Sequence, residues 1–241
     1  MHSNDVVHPA NLGWRDAPVA TALATRFGVP VTIESDVRAA AWGEFRFGGH
    51  RARSLVAIFV GTTVGSGAVL EGSLWRGVGE GAGELGHTQV VLDGLPCPCG
   101  ARGCLEQYAS GSAFQRRYRT ALAAGVRSRL DELSGADPDT LSADMVAAAA
   151  NSGDELARQL WVDARRYLAL ATANYVTLLN PEVLVFGGAL VEALPELVDE
   201  VAGVVLAATT PCVRESLRIE RARLGGWAAV LGAAALAPSR S

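Results

Sequence analysis

Between His87 and Cys104 the chain sets four potential metal ligands in eighteen residues: His87, nine residues, Cys97, one residue, Cys99, four residues, Cys104. Cys97-Pro98-Cys99-Gly100 forms a tight knuckle, because proline fixes one backbone dihedral and glycine permits an unusual one. Both thiolates can then point at a single ion, and Gly103 does similar service before Cys104. The chemistry expected of this set is a tetrahedral Cys3His zinc site, structural because protein fills all four positions and leaves none for water. The alternative is a group of buried free cysteines with His87 elsewhere, but three thiols within eight residues seldom pack without a shared ion. Cys212, alone after a proline, reads as a small buried hydrophobe.

Two glycine-rich turns follow apolar runs. SLVAIFV at 54–60 is a continuous apolar run suited to a strand buried on both faces, and it ends in GTTVGSG at 61–67. Backbone amides free of side chains can cradle phosphate oxygens, while a sharp strand-to-strand turn also needs glycine. Gly187-Gly188 after VLVF has the same two readings: close approach of a nucleotide, or the opening of the next helix.

Strands alternating with helices must position these groups, which predicts an α/β fold. Val29 to Ile33 reads as a short strand, with Asp36 after it and an alanine-rich helix from Val37 to Phe45. Ala68–Leu70 and Leu74–Trp75 form a hairpin, and helices are expected at 106–120, 141–151, 194–208 and 226–237. The strongest helix signal runs from Leu156 to Leu179, with Leu160, Ala164, Tyr167, Leu168, Ala171, Tyr175, Leu178 and Leu179 on one face. Strands are expected at 183–186 and 217–224.

The chain has 241 residues, 49% of them hydrophobic, enough for one large domain or two lobes. A net charge of -4 without a basic face argues against nucleic acid as a partner. The longest apolar runs, about thirteen residues, fall short of the roughly 20 that span a bilayer, and Met1 to Asp5 is no signal peptide. The composition therefore reads as cytoplasmic, with no membrane partner, and there a cysteine cluster argues for metal over disulfides.

NLGWRD (11–16), GVPVTIESD (28–36), GTTVGSG (61–67), AGELGH (82–87), CPCGARGCLEQYASG (97–111), NPEVLVFGG (180–188) and LGAA (231–234) follow one another in this order. Together they resemble the ROK family, bacterial sugar kinases and sugar-responsive repressors built on the actin-like (ribonuclease H-like) ATPase fold. The resemblance covers essentially the whole chain, and CLEQYASG looks closest to the glucokinase branch. It implies Asp36 as the catalytic base that takes the proton from the sugar hydroxyl, a role to weigh against plain capping of the following helix. It implies sugar contacts from Glu84, His87 and Glu106, with Ser35 where the family has Asn. His87 would bind zinc through one nitrogen while its other faces the sugar. Gly61, Thr62, Thr63, Gly65 and Gly67 match the family's second phosphate loop, and Gly187 and Gly188 its adenosine-side loop.

The implied protein uses Mg-ATP and a structural zinc, acts on a hexose or N-acetyl hexosamine, and forms a homodimer. The implied division is residues 1–48 as the rest of an N-terminal lobe, 49–225 as the sugar-binding lobe, and 226–241 as a final helix returning to the first lobe. Three departures stand out. Ser35 and Arg38 replace two Asn, Thr63 and Ser66 replace two Gly of the phosphate loop, and the D-x-G-G-T motif of the family's first strand is absent. The expectation is a member lacking its N-terminal segment, and on its own inactive or nearly so. The function expected is transfer of the ATP γ-phosphate to a hexose 6-hydroxyl. The alternative is the sugar-sensing effector part of a ROK repressor without its DNA-binding domain.

Overall fold

Every residue from Leu55 to Ile58 is sealed from solvent, because helices cover both faces of the sheet in which this strand is central. The computed structural model describes residues 6, 7 and 17–237, so the 11–16 motif lies outside the described residues. The small strands β1 (Val6–Val7) and β2 (Ala17–Pro18) pair antiparallel. The main sheet holds β3 (Leu55–Val60), β4 (Val64–Leu70), β5 (Ser73–Trp75), β6 (Val183–Gly187) and β7 (Arg218–Arg221) in the order β5-β4-β3-β6-β7. β3 is antiparallel to β4 and parallel to β6, with Phe59 opposite Gly187, and β6 is parallel to β7.

The helices are α1 (Val19–Phe27), α2 (Asp36–Phe47), α3 (Glu106–Ala109), α4 (Gly111–Ala123), α5 (Arg129–Leu133), α6 (Ala143–Asn151), α7 (Glu155–Leu179), α8 (Ala189–Ala193), α9 (Glu196–Ala208), α10 (Pro211–Ser216) and α11 (Ala228–Leu236). On one face Leu55, Ala57, Val183 and Val185 pack with Ala41 of α2. On the other, Val56, Ile58, Leu184 and Phe186 pack with Leu160, Ala164 and Leu168 of α7. Strand alternation thus sends successive side chains of β3 into two different apolar layers, which is why the run shows no polar alternation. Each fully buried aliphatic side chain there contributes roughly 1.5–3 kcal/mol.

α2 and α11 touch backbone to backbone. A Cβ on Gly43 would run into the Ala228 carbonyl, and one on Gly232 into the Ala39 carbonyl. α7 is capped by Asp154, whose side chain accepts from the Ala157 amide at 2.8 Å, and ends at Asn180 in the left-handed region just before Pro181.

Several expectations change. Val29 to Ile33 belongs to no strand, since among the described residues no neighbouring strand pairs with it. The helix expected at 106–120 is two, α3 and α4, separated at Ser110, whose hydroxyl caps α4 by accepting from the Ala113 amide at 3.0 Å. Leu178, assigned by periodicity to the buried face of α7, is 81% exposed, and Cys212 is exposed. No helix among the described residues is long and apolar enough to cross a membrane.

Candidate active site and metal centre

The segment after β5 carries two of the expected sugar residues. Glu84 precedes a single 3-10 turn, Leu85–His87, and both Glu84 and His87 are exposed while Leu85 is buried and anchors the turn. From there the chain folds back on itself through bridges between Gln89 and Cys104 and between Pro96 and Arg102. Gly103 makes that return possible: its φ is 72°, and any Cβ would collide with the Val91 carbonyl.

The return brings His87, Cys97, Cys99 and Cys104 together, with all four ligand atoms within 4.8 Å of one another. Cys99 and Cys104 Sγ are 3.7 Å apart, and Cys97 Sγ lies 3.6 Å from His87 Nδ1. Tetrahedral zinc, with bonds of about 2.3 Å to sulfur and 2.0–2.1 Å to nitrogen, sets these edges at about 3.8 and 3.6 Å. The four residues therefore fit that ion. Burial, and then the Cys97 and Cys99 thiols, push the Cys104 thiol up to about 12, while the Ala101 amide leads the contacts that lower Cys99. Sequence reasoning missed Gln107, whose buried amide donates to Cys97 Sγ at 3.5 Å and steadies the ligand set. Its place beside Glu106 was the available signal.

Glu106 opens α3, and its Oε2 accepts from the Val64 amide at 3.4 Å, so this carboxylate meets the first residue of β4. α2 crosses the same strand. Cβ atoms on Gly65 or Gly67 would strike Val37 or Ala41 and the backbone of Arg38, so these two glycines lie within β4 beneath the start of α2. Asp36, at the first position of α2, is exposed, and its Oδ1 accepts from the Val37 amide at 2.8 Å. Ser35 occupies the cap position without a side-chain capping bond.

Arg38 is buried, and its Nε donates to Glu34 Oε1 at 2.7 Å. Arg76 Nε donates to Glu34 Oε2 at 2.6 Å. Burial pushes the Glu34 carboxyl up, but the bonds from Arg38, Arg76 and the Ser35 amide outweigh it and hold the group below the usual carboxylate range.

The turn Gly61–Thr63 and the pair Gly187–Gly188 lie side by side at the C-terminal ends of the parallel neighbours β3 and β6. The Gly61 and Thr62 carbonyls accept from the Gly111 and Ser112 amides at 2.8 and 3.2 Å, which locks the turn to the start of α4. A cavity of about 340 Å³ opens there, lined by Gly61, Thr62, Ser112, Ser142, Ala189 and Leu190 among others. Ser142 lines the cavity too, but its Oγ is buried and has no hydrogen-bond partner among the described residues.

The family model for "ROK family" matches residues 1–240. The chain belongs to the ROK family. It is 36% identical over 184 residues to a glucokinase of Streptomyces coelicolor, which covers 75% of this chain and 58% of that protein. The chain thus spans well under two thirds of that relative's length. It is also 29% identical over 242 residues to a xylose repressor of Caldicellulosiruptor bescii, covering 97% of this chain and 58% of the repressor. Among solved structures, a ROK family glucokinase from Streptomyces griseus in complex with glucose and AMPPNP superimposes with a TM-score of 0.80 at 32% identity, covering 97% of this chain and 77% of that one. The mixed sheet between helical layers is accordingly that of the actin-like ATPase fold.

Proposed function

We propose that this ROK chain is the sugar-binding and catalytic part of a glucokinase-type kinase that phosphorylates the 6-hydroxyl of a hexose from Mg-ATP. The observation that carries the reading is the meeting at the start of β4. α2 lays Val37, the residue after Asp36, across Gly65, and Glu106 accepts from the Val64 amide. A base, a sugar-binding carboxylate and the turn after β3 thus share one neighbourhood at the ends of parallel strands, where α/β sheets bind ligands.

In this reading Glu84, Glu106, Ser35 and the outer nitrogen of His87 bind and orient the sugar. A carboxylate accepts two hydroxyl protons and fixes a ring against rotation. Asp36 accepts the proton of the 6-hydroxyl as that oxygen becomes the nucleophile. Mg-ATP supplies the electrophilic γ-phosphoryl group when bound. The Gly61–Thr63 turn and Gly187–Gly188 would hold its phosphates and adenosine, with Ser112, Gln115 and Asp144 among the polar residues that line the cavity. Gly65 and Gly67 serve the same loop by admitting α2 so closely. Zinc on His87, Cys97, Cys99 and Cys104 keeps Glu106 and His87 in register, because all five residues hang on one short folded segment.

The sugar-sensing repressor reading rests on the xylose-repressor relative, which matches nearly the whole chain. Calorimetric titration with glucose, N-acetylglucosamine and xylose separates the two. Glucose or N-acetylglucosamine binding, together with hexose-dependent ADP release, supports the kinase; binding of xylose alone, with no turnover, overturns it.

A further inference from the structure

Residues 76–84, RGVGEGAGE, join β5 to the turn that carries His87, and four of the nine are glycine. Such a segment loses much backbone entropy on ordering and has little apolar surface to bury in return. Val78, its one large apolar residue, is fully exposed. Something else must hold it, and two polar anchors do.

The first comes from α2. Arg38, held by Glu34, donates through Nη1 to the Glu80 carbonyl at 2.6 Å and to the Ala82 carbonyl at 3.4 Å. The Glu80 carboxylate lies 3.8 Å from both Arg38 Nη2 and Arg76 Nε, so two cations and two carboxylates close over the segment. Glu80 sits at φ 56°, a left-handed conformation that a non-glycine residue keeps only where its surroundings over-determine it. The second anchor comes from β4. The buried hydroxyl of Ser66 donates to the Gly83 carbonyl at 2.7 Å, and Gly83, at φ 90°, lies so close to the Ser66 backbone that a Cβ would strike its carbonyl. Arg38 and Ser66, on two different elements, thus both grip this one segment.

We propose that Arg38 and Ser66 are paired positioning residues that strap the 76–84 segment between α2 and β4 and thereby preset Glu84 for sugar binding. The proposal rests on the reading of Glu84 as a sugar-facing carboxylate. Arg38 acts through the loop and touches no reacting atom. Its burial at 7% side-chain exposure beside a Glu34 at 5% makes the pair sensitive to a change of either partner.

The test is hydrogen exchange on the full chain, unaltered and as Arg38→Asn, Arg38→Lys, Ser66→Gly and the Arg38→Asn/Ser66→Gly double variant, with glucose affinity measured on each. Amides of residues 77–84 should exchange at least about tenfold faster in Arg38→Asn and in Ser66→Gly, while those of β3 and α7 stay unchanged. Arg38→Lys, which keeps the charge but loses the planar reach to carboxylate and carbonyl together, should fall between. The double variant should loosen the loop by less than the product of the single effects, because the two anchors hold one element. Glucose affinity should fall in the same order, by about tenfold for Arg38→Asn. Loop exchange within about twofold of the unaltered chain in Ser66→Gly and Arg38→Lys, both mild changes, would overturn the strap. Should the unaltered chain bind no glucose, the sugar-site reading fails, and the exchange arm still decides whether the strap exists.

Discussion

His50 Nε2 lies 2.8 Å from Glu44 Oε2, and neither side chain is exposed to any extent. The other ring nitrogen, Nδ1, lies 2.8 Å from Glu220 Oε2, and the Arg223 and Leu224 amides donate to Glu44. His50 thus ties the end of α2 to β7, while Glu44 ties it to the turn that leads into α11. His50→Ala would strip a buried carboxylate of its side-chain partner while two backbone donors remain, at a cost of about 3 kcal/mol. For a chain of this size that is a fall in Tm of roughly 6–12 °C. His50→Gln, which retains one donor, should lose less; equal melting of His50→Ala and the unaltered chain would show that the clasp carries no stability.

Acid should weaken the fold through the same clasp and through Glu34. Burial raises the Glu220 carboxyl, but the bond to His50 and the charges of His50, Arg223 and Arg218 bring it below its ordinary value. Asp154, capping α7, is lowered likewise: its burial is outweighed by the Ala157 and Arg129 amides and Ser128. A group whose folded pKa is depressed contributes stability above its unfolded pKa and loses it as pH falls through the folded value. Urea midpoints should therefore be steady from about pH 7 down to about pH 5 and drop below about pH 4.5. In a Glu220→Gln variant the drop should be shallower, and an unchanged acid limb would remove Glu220 from the account.

Metal analysis should return one zinc per chain. Chelation at neutral pH should lower Tm and glucose affinity together, because the four ligands close the segment that carries Glu106. Cys104→Ser should bind zinc at least about tenfold more weakly. Full zinc retention in that variant would take Cys104 out of the ligand set.

Asp36→Asn is nearly isosteric, and among the described residues the exposed side chain bonds only to the amide of the next residue. Glucose affinity should change by less than about threefold, while any hexose-dependent ADP release should fall by at least about 10²-fold, the size of a general-base contribution. Turnover equal to that of the unaltered chain would leave Asp36 as the start of α2 and nothing more.

The metal cluster was legible because its ligands are close in sequence and two glycines let the chain double back over a short span. β3 and α7 were legible because their composition and period reflect burial that each achieves along its own length. The remaining features depend on partners distant in the chain. Val29 to Ile33 has strand-forming residues, but a strand exists only where another chain segment takes its hydrogen bonds. The helix break at Ser110 came from a hydroxyl competing for the amide of Ala113, a local event that hydrophobic period does not register. Nothing in the sequence linked His50 to Glu220, 170 residues apart, or Arg38 to the carbonyl of Glu80, 42 residues apart. A charged side chain reads as solvated until packing removes its water, and then it must find a partner wherever the fold supplies one. Spacing therefore determined which groups could hold zinc, and the family resemblance which could meet a sugar, while tertiary packing alone decided which charges were buried and what they hold in place.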